Sequence, residues 1–175
     1  LGWTHGNQFV CLAAQNIMAA SIGGHTIHHW SGIPIAEDKR NPKQGEDIGA
    51  LFLRCQNLRW ILIDEVSLIG AELFAELERR VSQAARTTGT YKNRPDRSPR
   101  PFGGSNTLLF GDWWQLRAVK ATPLFDNPFG RVPSGSAFEG LQLLWARTRD
   151  SLQRAWELTE PMRCDDPWYQ DFLND

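Results

Sequence analysis

The sequence predicts an α/β fold: a mostly parallel sheet flanked by helices. Three observations carry that expectation. Short apolar runs alternate with stretches of helical periodicity, the pattern of strand–helix–strand units. Two of the runs, Trp60–Ile63 and Thr107–Phe110, stop abruptly in polar clusters, Asp64-Glu65 and Gly111-Asp112 with Gln115. In such sheets ligands bind beyond the carboxyl ends of the strands, and that is where these clusters fall.

Taken in order, Phe9–Ala14 is a small apolar run and is expected to be a buried strand. Gln15–Ser21 has Ala and Met at helical spacing and ends at Gly23-Gly24, a helix stop. Residues 31–50 are polar, with Pro34, Pro42, Gly45 and Gly49 among them, and read as loop. Ala50–Leu58 reads as a short helix and Trp60–Ile63 as a strand. From Ser67 to Ala85 the apolar residues Leu68, Ile69, Leu73, Phe74, Leu77 and Val81 recur at three-and-four spacing, which predicts an amphipathic helix. Residues 87–106 carry Gly89, Pro95, Pro99, Pro101, Gly103 and Gly104 and predict a long loop, a length often tied to function. Thr107–Phe110 is the next strand and 117–137 the next loop. Phe138–Arg149 is expected to be helical, Ala155–Leu158 a short strand, and Asp166-Pro167-Trp168 the start of a last helix, with proline in its first turn.

At 175 residues the chain is expected to be one domain, or most of one. Apolar residues are 41% of it, with eight Trp and nine Phe, enough to fill a core. A net charge of −1 gives no global nucleic-acid signature. Charge is uneven, however. Between Arg79 and Arg100 stand seven basic residues and a single acid, Asp96; from Glu139 to Asp175 eight acids face four bases. The basic stretch either attracts phosphates or is a solvated helix end and loop. Cys11, Cys55 and Cys164 are odd in number and widely spaced, which argues against a disulfide scaffold or zinc module and fits a reducing compartment. No stretch approaches the ~20 apolar residues of a membrane span, and no secretion signal is apparent. The chain opens at Leu1 and stops within a helical pattern at Phe172–Asp175. It is therefore expected to be a fragment, cut at both ends.

The chemistry concentrates at Ile63-Asp64-Glu65-Val66-Ser67. A strand that ends in paired acids can present one carboxylate to Mg²⁺ and the next to an attacking water. The plainer alternative is a helix start, with acids favoured by the dipole and Ser67 as cap. Asp112 and Gln115 admit a similar pair of readings: a site residue cluster, or a turn capped by Asp112. Trp113 and Trp114 offer rings for base stacking, although one of them is expected in the core. His25, His28 and His29 lack the further ligand that a metal site needs and suit a loop or nucleic-acid contact.

One ordered set of segments resembles a known family. It runs His25-Thr26-Ile27-His28, then Ile63-Asp64-Glu65-Val66-Ser67 with Gly70, Pro101-Phe102-Gly103-Gly104, Gly111-Asp112-Trp113-Trp114-Gln115-Leu116 with Val119, and Leu158-Thr159-Glu160-Pro161-Met162-Arg163 followed by Asp166-Pro167. This succession resembles the Pif-type DNA helicases, ATP-driven motors of helicase superfamily one related to RecD, over roughly residues 12 to 174. The resemblance implies a P-loop NTPase (RecA-like) fold, here one partial first motor domain over residues 1–175 with the basic loop 87–106 inside it. It implies ATP and Mg²⁺ as ligands and DNA, single-stranded or at duplex junctions, as partner. Asp64 matches the Mg²⁺-binding Asp, Glu65 the Glu that activates water, Gln115 the γ-phosphate sensor, and Arg163 an arginine that approaches the γ-phosphate; a surface salt bridge is the rival role for Arg163. Asn16 falls in segment 12–20, where the family contacts single-stranded DNA, Thr26 and His28 continue that region, and Trp113 is a further candidate DNA contact by stacking.

This chain also departs from the family. Gln15-Asn16 stands where Thr-Gly is usual, and Arg117-Ala118 where Pro-Pro is usual. No G-x-x-x-x-G-K-[ST] occurs, so the phosphate-binding loop is expected upstream and the second motor domain downstream. The implied activity, that of the longer parent, is ATP-dependent DNA unwinding, 5′→3′, in repair, recombination and telomere maintenance. The fragment alone is expected to be inert. The resemblance places such a parent in the nucleus or mitochondrion of a eukaryote or the cytoplasm of a bacterium. The alternative is a degenerate relic retained as a nucleic-acid-binding or interaction module.

Overall fold

A computed structural model of the chain describes residues 2–35, 48–85, 91–127 and 135–159. Four strands form one parallel sheet in the order β2-β1-β3-β4, where β1 is Phe9–Ala13, β2 His25–Thr26, β3 Trp60–Asp64 and β4 Asn106–Leu109. The helices are α1 (Asn16–Ser21), α2 (Ile27–Ser31), α3 (Ile48–Cys55), α4 (Ala71–Ala84) and α5 (Ser136–Trp145). The α/β class expected from the sequence is the class observed.

Side chains alternate across a strand, so the register sorts the sheet into two faces. Val10 and Leu12 of β1 lie level with Ile61 and Ile63 of β3, and all four are fully buried. They share one apolar cluster with Ile27 and Trp30 of α2, Leu51 of α3, Phe74, Leu77 and Val81 of α4, and Leu141 and Leu144 of α5. On the other face Phe9, Cys11, Trp60, Leu62 and Asp64 are only half-buried. Among the described residues, then, one face holds the core and the other is partly open, and Asp64 belongs to the open one.

Several boundaries differ from expectation. The helix expected over 67–85 begins only at Ala71. Val66–Leu68 instead forms a 3₁₀ turn, Ile69 is extended, and Gly70 enters α4 with extended backbone. The reason is tertiary: Gly70 forms an antiparallel bridge with Pro123, and the Ala71 amide donates to the Thr122 carbonyl at 2.8 Å. The helix expected over 138–149 spans 136–145, because Thr148 and Ser151 tie residues 148–151 into a turn by reciprocal hydrogen bonds. The 31–50 loop is shorter at its end, since α3 starts at Ile48, while residues 36–47 lie outside the described part. Ala155–Leu158 is not a strand. Residues 152–159 are exposed, Trp156 by 73% and Leu158 by 93%, and they pair with none of the four described strands. The helix expected from Asp166 lies outside the described residues.

The described part of the long loop, residues 91–106, is held by local turns and contacts. Pro101–Gly104 makes a short 3₁₀ turn, with the Phe102 ring packed on Phe74, centroids 5.4 Å apart. Its charges mostly have partners. Arg94 binds Asp150 and, at 2.6 Å, the Pro99 carbonyl; Arg149 reaches Asp96 at 2.6 Å. Arg100 donates to the Tyr91 carbonyl and to Asn106, Arg79 to Glu76, and Arg80 to the Ser31 carbonyl. The Ser98 hydroxyl and amide, then Arg149, hold the Asp96 carboxyl well below the usual carboxylate range. These geometries favour the structural reading of the basic stretch over a phosphate-binding one.

Candidate functional site at the carboxyl edge of the sheet

Parallel register brings the sequence-selected residues to one edge. Ala13, the last residue of β1, is level with Thr26 of β2 on one side and with Asp64 of β3 on the other. β4 reaches the same edge, with Leu109 level with Ile63. Asn16, Thr26 and His28 therefore follow strand ends neighbouring the one that carries Asp64-Glu65. Asn16 is exposed at the start of α1. Thr26 caps α2, its hydroxyl accepting the His29 amide at 3.2 Å, and the His28 ring makes a 3.1 Å hydrogen bond with the Ile33 carbonyl. Both side chains thus hold the backbone of this edge.

Asp64 and Glu65 make no ion pair and no side-chain hydrogen bond among the described residues. The Asp64 charge reaches across the open face: burial first, and then Asp64, push the Cys11 thiol up. Glu65 sits in the left-handed region at φ 51°, ψ 51°. A side chain there costs about 1–3 kcal/mol, and such strain collects at functional positions. After Glu65 the Val66 amide donates to the Phe110 carbonyl at 2.9 Å, and the Phe110 amide donates to Ile63 at 2.8 Å.

These two bonds lay the end of β4 directly against the acidic turn. Gly111 is the residue that allows it: a Cβ there would stand 2.8 Å from the Val66 nitrogen and 3.0 Å from its Cγ1. The loop that leaves Gly111 carries Asp112 and Gln115. Asp112 accepts the Trp114 amide at 2.9 Å and the Gln115 side-chain amide at 3.4 Å, so it is a turn cap that also steadies Gln115. Of the two readings of Asp112 made from the sequence, the turn cap is the one observed. The structure thus brings Asp64, Glu65 and the Gln115 loop together at adjoining strand tips. Arg163 lies outside the described residues.

The two tryptophans divide. Trp113 is half-buried, with its ring against Phe125 at 5.6 Å and Trp145 at 6.4 Å. Trp114 is 97% exposed. The base-stacking role assigned to Trp113 thus fits its neighbour better, because Trp113 is committed to packing. Around Trp114, Leu116 and Val119 are 80% and 83% exposed. Sequence reasoning also missed Glu72 and Thr122, which hold the far end of this loop. Their hydrogen bonds join residues 50 positions apart, and no local pattern announces them.

The histidines form a ladder at the β2 margin. His5 and His25 stack at 5.7 Å, and His25 and His29 lie 5.7 Å apart. Burial, then the neighbouring His5, His29 and Arg54, push the His25 pKa down. Among the described residues no group of three His, Cys, Asp or Glu side chains is placed to hold a metal ion. None of the described helices is long and apolar enough to cross a membrane.

Comparison with known proteins agrees with this geometry. The family model described as PIF1-like helicase matches residues 4–126. The ATP-dependent DNA helicase PIF1 of Emericella nidulans is 29% identical over 169 residues, covering 93% of this chain and 19% of that protein. The human ATP-dependent DNA helicase PIF1 is 32% identical over 120 residues, covering 63% of this chain and 16% of that protein. The chain thus spans less than a fifth of the length of these relatives. A crystal structure of Pif1 helicase from Candida albicans superposes with a TM-score of 0.66 at 25% identity, covering 95% of this chain and 33% of that one. By this family match, which takes in both β3 with its paired acids and the Gln115 loop, the chain belongs to the PIF1-like helicases.

Proposed function

We propose that this chain is part of the first motor domain of an ATP-dependent DNA helicase, and that its strand-end cluster works on a nucleoside triphosphate. One observation carries the reading: two adjacent carboxylates, with no cationic partner among the described residues, stand at the edge where Gly111 delivers the Gln115 loop. Hard oxygen donors at an open strand end suit Mg²⁺, which takes one or two carboxylates and completes its shell with phosphates and water. Asp64 would hold the ion. Mg²⁺, when bound, neutralises charge on the phosphate oxygens. Glu65 orients the attacking water and takes its proton. Gln115 donates from its side-chain amide toward the terminal phosphate, and its loop passes the change to the exposed Trp114 ring. Arg163 and a phosphate-binding loop supplied by the parent protein complete the charge clamp. Single-stranded DNA is the proposed partner, along the edge formed by Asn16, Thr26, His28 and the 113–116 loop.

The test uses the full-length parent. ATP hydrolysis that requires Mg²⁺ and rises with single-stranded DNA supports the motor. DNA binding without hydrolysis under those conditions supports a non-catalytic binding module instead. Trp114→Ala is expected to weaken single-stranded DNA binding by about tenfold, the effect of losing one stacked base, while Trp113→Ala acts on thermal stability. Unchanged DNA affinity in Trp114→Ala removes this ring from the interface.

A further inference from the structure

The loop that carries Gln115 is fastened at both ends to the same short stretch of chain. At its start Phe110 binds Val66, and Gly111 lies against the Glu65-Val66 backbone. At its end Thr122 meets Glu72: the Thr122 hydroxyl donates to Oε1 at 2.7 Å and its amide to Oε2 at 3.2 Å. The Ala71 amide answers by donating to the Thr122 carbonyl at 2.8 Å, and Gly70 bridges Pro123. Between these anchors Asp112, Trp114, Gln115, Leu116 and Val119 are exposed. So residues 65–72, which begin with the proposed water-activating Glu65, grip the loop before and after Gln115.

We infer that Glu72 is a positioning residue for Gln115: its clasp on Thr122 sets the span of the loop and ties it to the turn that bears Asp64 and Glu65. This rests on the motor reading above and adds to it a residue outside the strand-end cluster. The physical logic is that of a strap. A loop anchored at one end samples many positions, whereas a second anchor of three hydrogen bonds, two of them to a carboxylate, removes most of that freedom. Placement errors of about 1 Å at a catalytic group can cost a hundredfold in rate. The same coupling lets a shift at the acidic turn move both ends of the loop together.

The test compares Glu72→Ala, Thr122→Val and Thr122→Ser in the full-length parent. Glu72→Ala also removes an acid from the first turn of α4. Thr122→Val leaves that acid in place and removes only the hydroxyl, so it isolates the clasp. In both Glu72→Ala and Thr122→Val, amides of residues 112–121 are expected to exchange with solvent about tenfold faster, with those of β3 and α4 unchanged. DNA-stimulated kcat is expected to fall about tenfold with the KM for ATP unchanged, the mark of lost orientation rather than lost binding. Thr122→Ser keeps both donors and is expected to restore exchange and kcat. Unaltered exchange in Thr122→Val, or a loosened loop with kcat intact, overturns the inference. A wild-type parent that hydrolyses no ATP sinks the motor reading and the positioning role with it, while the exchange result still reports whether the clasp exists.

Discussion

Full-length parent protein carrying Glu65→Gln is expected to bind ATP as wild type does and to turn it over at least about a hundredfold more slowly. Glutamine keeps the size and the hydrogen-bonding reach of glutamate but cannot accept a proton at neutral pH. Because Glu65 has no ion pair or side-chain hydrogen bond among the described residues, its loss should leave the surrounding structure undisturbed. Steady-state kcat and equilibrium nucleotide binding, measured on the same preparation, check both halves. Turnover near the wild-type rate would remove Glu65 from the mechanism. A companion variant uses the backbone. Glu65→Gly relieves a left-handed conformation that favours glycine. It is expected to raise thermal stability slightly, by about 0.5–1 kcal/mol, while it abolishes hydrolysis. A gain in stability with a loss of activity would mark this strain as held for function.

How much of this was legible beforehand depends on the range of the interaction. β1 and β3 could be read because each is a compact apolar run, and the acidic tip of β3 because Asp64-Glu65 breaks that run abruptly. α4 could be read from Leu73, Phe74, Leu77 and Val81, yet its start could not. Ser67 looks like a helix cap in sequence, and the residue that opens the helix is Gly70, chosen by its bridge to Pro123 far along the chain. Ala155–Leu158 failed as a strand for the converse reason: a short run of mostly apolar residues is a strand only when an edge accepts it. Charge was the least legible property. The run from Arg79 to Arg100 looks like a phosphate-seeking patch until Asp150 and Arg149, more than 50 residues away from their partners Arg94 and Asp96, arrive to join it. Trp113 and Trp114 are adjacent and chemically identical, and only the Phe125 and Trp145 rings decide which one packs.

Gly140→Ala is expected to be the most damaging single methyl group that can be added to the described fold. Glycine in mid-helix is unfavourable by about 0.5–1 kcal/mol against alanine, so its presence inside α5 calls for a tertiary reason. That reason is contact with the first residue of α4. A Cβ on Gly140 would lie 2.0 Å from the Ala71 carbonyl oxygen, 2.7 Å from its carbon and 3.0 Å from its Cα. All three are backbone atoms, which cannot swing aside as a side chain would. Ala71 is itself fully buried and its amide holds Thr122. To admit the methyl, α5 must retreat from α4, and Leu141 and Leu144 then lose packing in the shared core. Overpacking of this kind costs about 1–3 kcal/mol and sometimes more. With backbone on both sides the upper part of that range should win, even after the gain in helix propensity. The melting temperature is expected to drop by about 5–10 °C, whereas Gln142→Ala on the exposed side of α5 should stay within about 0.5 kcal/mol of wild type. Thermal unfolding of the two variants side by side decides it. A Gly140→Ala protein as stable as wild type, or more so, would mean that α5 does not approach α4 this closely, and that the anchor beneath the Gln115 loop is looser than the geometry implies.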